Sequence, residues 1–499
     1  MSKLTPSKYQ ADIFNFVKNG KGNAVINAVA GSGKTTTIIA SLKYIPLNVK
    51  VIFLAFNKSI VEDIKTRVPS NVVVKTFHSL GCSSIYKVYK NLCVLDNNKV
   101  FNIINHLSAR WSLVDNKEVD PEYKFKIKTI VDLARVTLCI DEEEMKVVCD
   151  KHQIEYTDKD IERCFRIIED ANNDISVFDF NDMIYWPARF DHFCLEKYDM
   201  IYIDECQDLN KTQHKLIEKI SNPNTRIIAV GDRNQAIYGF TGADSESFDN
   251  LTKMPNTTLL PLSVSYRCGT EIIKLAKTIV GHIEAFEFAK AGVFDHSASV
   301  TEVVEGDMVL CRNTAPLVKL CLEFLHQGKK AYVKGADIGE DLVRLVVRSG
   351  KKTNSELVMW LEYELKKISN QLKKRFTSYE DAQVAEHNSY VLFAEKQTLL
   401  TTIITSEGFL YTKDLIVKIR QIFMDVYSSG VCLSTVHKAK GLENDRVFIL
   451  DKEKTMPSKY ARLPWQRLQE KNLEYVAYTR AKDYLGFIID WTFFPDAKK

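Results

Sequence analysis

A chain of 499 residues is too long for a single hydrophobic core and points to about two to four domains. Its 45% hydrophobic and 26% charged content is ordinary for a soluble globular protein. The 68 basic residues against 64 acidic ones leave a formal charge of +4, which neither demands nor excludes nucleic acid, since a basic groove can hide inside a near-neutral total.

The start, Met1-Ser2-Lys3-Leu4-Thr5-Pro6, lacks the apolar core of a secretory leader. No apolar run approaches the ~20 residues of a membrane span, so a cytoplasmic protein without a membrane partner is expected. The 11 cysteines are scattered and none has C-x-x-C spacing. They read as reduced structural thiols with no zinc or iron–sulfur cluster.

In chain order, short apolar runs recur at 24–26, 51–56, 72–74, 200–203 and 226–230. Their β-branched, non-alternating character suits central strands of a parallel sheet, and helical patterns lie between them, so the first 260 or so residues predict an α/β fold. The interval 82–178 differs: it holds charge-rich amphipathic segments such as 125–138 and 158–171 and predicts a helical insertion. A second α/β pattern is expected from near Pro261, with strand-like runs at 308–311 and 331–333. It pauses for a helical stretch over 340–425 and resumes at 431–434 and 446–450.

The segment Asn27-Ala28-Val29-Ala30-Gly31-Ser32-Gly33-Lys34-Thr35-Thr36 follows the first apolar run directly. A strand, a glycine loop and a helix start in succession make a phosphate cradle, because only glycines let backbone N–H groups approach phosphate oxygens. Lys34 would supply charge to the terminal phosphates and Thr35 a hydroxyl to Mg²⁺. Ala28 stands where the strict pattern has glycine. Further on, Met200-Ile201-Tyr202-Ile203-Asp204-Glu205-Cys206-Gln207-Asp208 puts an acidic pair behind a strand. Asp204 would hold Mg²⁺ through water, and Glu205 would orient and deprotonate the attacking water. Val230-Gly231-Asp232-Arg233-Asn234-Gln235 repeats the strand-then-turn arrangement.

This order of loop, D-E-x-Q-D and G-D-x-x-Q resembles the UvrD/Rep-type superfamily-1 DNA helicases. Further segments are similar to that family's motifs: Leu54-Ala55-Phe56-Asn57-Lys58, Thr76-Phe77-His78-Ser79-Leu80, Asp179-Phe180-Asn181-Asp182-Met183, Leu262-Ser263-Val264-Ser265-Tyr266-Arg267-Cys268, Leu433 through Glu443 and Glu474 through Ala481. The resemblance implies two RecA-like parallel-sheet P-loop domains, each carrying a mainly helical insertion. The first would comprise 1–81 and 179–262 with insertion 82–178, and the second 263–339 and 426–499 with a reduced insertion 340–425.

It also implies roles. Lys34, Asp204, Glu205, Gln235, Arg267 and Arg480 would form the catalytic set, with Arg267 and Arg480 reaching the γ-phosphate. Ala28, Gly31, Ser32, Gly33, Lys34, Thr35 and Thr36 would line the nucleotide, with Thr35 and Asp204 on the metal. Tyr266 would pack on adenine and Glu443 lie beside ribose or phosphate. Gln10 resembles the adenine-reading glutamine, although a helix-surface glutamine fits that position as well. ATP and Mg²⁺ are the implied cofactors, bound in a cleft between the two α/β units so that closure brings the arginines in. Thr36 and Thr241 replace basic residues of the family pattern, and Phe240 replaces its tryptophan.

Single-stranded nucleic acid is gripped by aromatic platforms and backbone contacts. Phe56 and Phe240 are the candidate platforms, with Phe77 and Tyr238 behind them. Asn57, Lys58, Thr76, His78, Thr435, His437 and Lys438 are candidate contacts. The basic run Glu364–Phe376, with Lys366, Lys367, Lys373, Lys374 and Arg375, could touch duplex, but a solvated helix face is the preferred reading. The implied function is a monomeric, 3′→5′ ATP-dependent DNA helicase working at single-strand/duplex junctions alongside replication or recombination proteins. A protein-displacing translocase and an ATP-switched DNA-binding subunit are the alternatives. The short stretch after Arg480 gives no expectation of a nuclease.

Overall fold

The computed structural model describes residues 6–115, 119, 121–244, 246–375, 380–425, 429–489 and 491. The start at residues 1–5, the expected domain boundary at 426, Phe376 and the tail from 492 lie outside the described residues. The chain forms two compact units, Met1–Val264 and Ser265–Lys499.

In the first unit, β1 (Asn23–Ala28), β2 (Val51–Ala55) and β3 (Val72–Thr76) precede a short parallel pair, β4 (Val94–Leu95) and β5 (Val177–Phe178). β6 (Tyr198–Ile203), β7 (Ser221–Gly231) and β8 (Thr257–Leu262) complete a six-stranded sheet in the order β3-β2-β6-β7-β1-β8. Every pairing in it is parallel. All five residues of β2 are buried, as a strand covered on both faces requires. β8 forms the edge of the first sheet: Pro261 pairs with Asn27 there, where a missing N–H breaks no ladder bond.

Among the described residues between β4 and β5 lie four helices: Lys99–Asp115, Pro121–Val136, Glu142–Lys151 and Asp158–Asn173. Asp141 and Thr157 cap the last two, accepting from the N–H groups of Glu144 and Asp160. Ile104, Ile127, Ile130, Ile161 and Ile167 face inward and are fully buried, giving these helices a common core. A buried ionic cluster ties them to the segment after β5. Arg135 forks onto Asp179 at 2.7 and 2.8 Å and also bonds Asp182, while Lys99 reaches Asp182 at 3.0 Å.

The second unit opens with the pair β9 (Val264–Ser265) and β10 (Glu284–Ala285). Its main sheet uses β11 (Val293–Asp295), β12 (Met308–Cys311), β13 (Ala331–Lys334), β14 (Phe423–Met424), β15 (Val431–Thr435), β16 (Asn444–Leu450) and β17 (Ala481–Ile488). The order is β11-β17-β16-β12-β15-β13-β14, again all parallel. The helical stretch between β13 and β14 does not stand apart. Its Leu357, Leu361, Leu400, Ile403, Leu415 and Ile419 share one core with Val309, Val333 and Leu433 of the sheet. On the helix Asn354–Arg375, Ile368 and Leu372 are buried while Lys366, Lys367, Lys373 and Lys374 are exposed. Lys367 pairs with Glu364 at 3.5 Å and Lys373 with Asp381, as on a solvated face. No helix among the described residues is long and apolar enough to cross a membrane.

Candidate nucleotide and nucleic-acid sites

In the first sheet, β6, β7 and β1 are neighbours, and the phosphate loop, the acidic pair and the Gly231–Gln235 turn all follow their carboxyl ends. Parallel α/β sheets bind ligands at this edge. Ala28 closes β1, and the backbone then turns through Gly31 at φ 72° and Gly33 at φ 75°, a region that favours glycine. Ser32 is buried and its hydroxyl donates to Val29 O at 2.8 Å, bracing the loop from within. A Cβ on Gly33 would meet nothing within 4 Å, so open space lies over the loop. The helix Lys34–Ser41 starts there, aiming its first N–H groups at that space.

Thr35 Oγ1 donates to Asp204 Oδ2 at 2.6 Å, and Lys34 Nζ stands 3.6 Å from Glu205 Oε1. Asp204 is buried; burial first, and the Glu205 charge second, raise its carboxyl to about 6. This all-oxygen set of two carboxylates and a hydroxyl, beside an ammonium and a glycine cradle, fits a hard cation held with a phosphate chain. Glu205 itself has left-handed backbone, φ 51° and ψ 43°. Gln235 Nε2 donates to Asp232 Oδ2 at 2.6 Å, and burial holds the Asp232 carboxyl above its ordinary range. Thr36 faces solvent. Gln10 uses both ends of its amide: Oε1 accepts from Ser7 N–H at 3.0 Å and Nε2 donates to Thr37 Oγ1 at 3.1 Å, which places it on the loop's own helix.

The same edge carries an aromatic surface. Phe56, just past β2, is 48% exposed and stacks on Tyr238 at 6.3 Å and 9°. Phe240, 55% exposed, meets Tyr238 edge-on at 6.3 Å. Tyr238 therefore joins the two platforms, whereas Phe77 is 4% exposed and belongs to the core. Asn57 and Thr76 are helix caps, accepting from Ile60 and Ser79 N–H, and Lys58 is exposed at the first of those helix starts. His78 stacks on Phe180 at 3.8 Å, and burial lowers its imidazole to about 4, so it is neutral near pH 7. Phe180, 52% exposed, had no assigned role in the sequence; its apolar ring between two buried aspartates was the available signal.

In the second unit the candidates divide between the two ends of the sheet. Glu443 and Arg480 immediately precede β16 and β17, at their amino ends. Arg267 Nε lies 2.7 Å from Glu443 Oε2, and its Nη1 donates to Thr479 O at 3.1 Å. Arg480 is buried, donating to Val476 O, Leu442 O and Thr479 Oγ1 at 2.9, 3.0 and 3.3 Å. Both arginines thus converge on Thr479. Burial disfavours the Glu443 carboxylate, but Arg267 and Lys482 outweigh it and hold the group below its ordinary value. Tyr266 is 39% exposed and leans on Phe286 at 4.9 Å. Thr435 closes β15 at the opposite, carboxyl end, followed by His437 and by Lys438, which pairs with Asp337. Burial, then Arg312 and Lys440, lower His437 to about 3.

Residues 10–256 match the UvrD/REP helicase N-terminal domain, and residues 416–491 match the UvrD-like helicase C-terminal domain. The F-box DNA helicase 1 of Gallus gallus is 25% identical over 97% of this chain and 49% of its own length. The F-box DNA helicase protein 1 of Schizosaccharomyces pombe is 27% identical over 92% of the chain and 55% of its own. The ATP-dependent DNA helicase PcrA of Bacillus subtilis is 25% identical over 56% of the chain and 40% of its own. The chain spans about half the length of the curated relatives it matches. With both family domains matched on two parallel-sheet units, the chain belongs to the UvrD/Rep helicase family.

Proposed function

We propose that the protein is an ATP-dependent DNA helicase that moves 3′→5′ along single-stranded DNA and opens the duplex ahead of it. The observation that carries this reading is the meeting, on one sheet edge, of the Thr35–Asp204 contact with the Phe56–Tyr238 stack. The names of the relatives, DNA helicases of animals, fungi and bacteria, support the same reading. Its direction rests on the likeness of Thr435 through Glu443 to the 3′→5′ branch.

Bound magnesium would neutralise phosphate charge and act as a Lewis acid on the phosphoryl oxygens. Thr35 and Asp204 would hold it, while the loop N–H groups and Lys34 would hold the phosphates. Glu205 accepts the proton of the attacking water, and Gln235 orients that water. Arg267 and Arg480, carried on the second unit, stabilise the transferring phosphoryl group; for Arg267 this means exchanging Glu443 for phosphate. Tyr266, backed by Phe286, packs on the base.

The rings of Phe56, Tyr238, Phe240 and Phe180 stack on bases. Asn57 and Thr76 contribute helix N-termini to the strand's phosphates, with Lys58, His78, Thr435, His437 and Lys438 completing the grip. The protein works as a monomer in the cytoplasm, at single-strand/duplex junctions, with partners among replication or recombination proteins. ATP hydrolysis stimulated by single-stranded DNA and lost in Glu205→Gln supports the reading. Tight DNA binding without stimulated turnover would contradict it.

A further inference from the structure

The turn after β6 contains a buried amide that the motor reading leaves without a task. Gln207 is 2% exposed, and both ends of its side chain are engaged. Nε2 donates to Glu205 Oε2 at 2.6 Å and to Asp208 Oδ2 at 3.2 Å. Oε1 accepts from the N–H of Asp232 at 3.0 Å. Chemistry fixes this orientation, because a backbone N–H only donates and ionised carboxylates only accept. A flipped amide would face donor with donor and acceptor with acceptors.

The seat is shaped for the amide. A Cβ on Gly231 would stand 2.4 Å from Gln207 Oε1 and 2.7 Å from Cys206 Sγ, so glycine is needed for the end of β7 to come this close. From there the contacts run on in one direction. Asp232 accepts from the N–H of Asn234 at 3.0 Å and from Gln235 Nε2 at 2.6 Å. Three residues later comes Tyr238, in contact with both Phe56 and Phe240. In the other direction, Glu205 sits in the left-handed region, where a residue with a side chain persists only if its surroundings hold it.

We propose that Gln207 is a positioning residue that aims the Glu205 carboxylate and makes that aim depend on the 231–238 segment ending in the aromatic surface. The planar amide is a rigid two-ended link: a shift of the Asp232 N–H that carries Oε1 with it also moves Nε2 relative to Glu205. Strand binding at Tyr238 is thereby felt at the carboxylate that takes the proton. This rests on the reading of Glu205 as base and of Phe56, Tyr238 and Phe240 as strand contacts.

The test is ATP hydrolysis by the full chain with and without oligothymidylate, in Gln207→Leu, Gln207→Glu and Gly231→Ala. Gln207→Leu loses both ends of the link, Gln207→Glu keeps only the acceptor, and Gly231→Ala pushes the amide off its seat. The expected result is a roughly 10–100-fold fall in DNA-stimulated kcat in each, with the stimulation ratio collapsing toward one. KM for ATP and the Kd for oligothymidylate should stay within about twofold, a split that general unfolding would not give. Thermal melting checks that each variant is folded, and Gln207→Glu serves if Gln207→Leu is not. A variant that keeps the full stimulation ratio, or loses basal and stimulated turnover in equal proportion, would overturn the inference alone. An unaltered protein with no stimulation by DNA would overturn the motor reading and this inference together.

Discussion

The hydroxyl of Thr35 and the carboxylate of Asp204 meet at 2.6 Å although 169 positions separate them in the chain. They do so because β1 and β6 are parallel members of one sheet, with β7 between them, and both residues follow carboxyl ends. The hydroxyl proton holds the two oxygens together here, and both are hard donors of the kind a bound Mg²⁺ would use. Thr35→Val keeps the shape and removes one of them. The Mg²⁺ concentration giving half-maximal ATP hydrolysis should rise about 10–100-fold.

Glu205→Gln removes the proposed proton acceptor and leaves the loop of Gly31, Gly33 and Lys34 in place. Turnover should fall by about 10²–10⁴, the usual contribution of a general base. Nucleotide binding, followed by a fluorescent ATP analogue, should survive.

Phe240 exposes more than half of its surface, a cost in water that a stacked base would remove. Phe240→Ala should raise the oligothymidylate concentration for half-maximal stimulation roughly 5–160-fold, corresponding to about 1–3 kcal/mol of stacking. Phe180→Ala, which also takes the support from His78, should weaken the same binding.

Arg135 lies between Asp179 and Asp182 with 1% of its surface exposed. Arg135→Leu would leave Lys99 alone to balance two buried carboxylates. The first unit should lose about 3–5 kcal/mol of stability in denaturant unfolding, the usual cost of breaking a buried ion pair.

His78 and His437 are held by burial well below their ordinary 6.5, at about 4 and about 3. The unfolded chain takes up protons below pH 6.5 that the folded chain refuses, so the stability is complete above 6.5 and falls as pH drops toward 4. Melting temperatures measured from pH 8 to pH 5 should fall at the acid end. His78→Gln should flatten the fall in the first unit, and His437→Gln in the second.

Much of the fold was legible because parallel strands buried on both faces leave continuous apolar runs such as Val51–Ala55. β8 leaves no clear strand signal because Pro261 reads as a break, and its edge position makes that proline harmless. β4 and β5 are two residues each, too short to leave a pattern. The 340–425 stretch reads as helical, but that its leucines join the sheet's core is set by tertiary packing alone. At the site, the glycine loop and acidic pair announce themselves by local spacing. The meeting of Arg267 and Arg480 on Thr479 spans 212 positions from Arg267, and no local pattern reports such a contact. Gln207 is spelled out beside Glu205, yet its task shows only when Gly231 and Asp232 arrive from another strand.

Hydrolysis at Thr35, Asp204 and Glu205 is proposed to drive directional motion on DNA. This is tested most directly by unwinding of matched duplexes bearing a 3′ or a 5′ single-stranded tail, with Mg-ATP. The 3′-tailed duplex should open, the 5′-tailed one should not, and Glu205→Gln should open neither. Preferential opening of the 5′-tailed duplex, or unwinding that persists in Glu205→Gln, would contradict it.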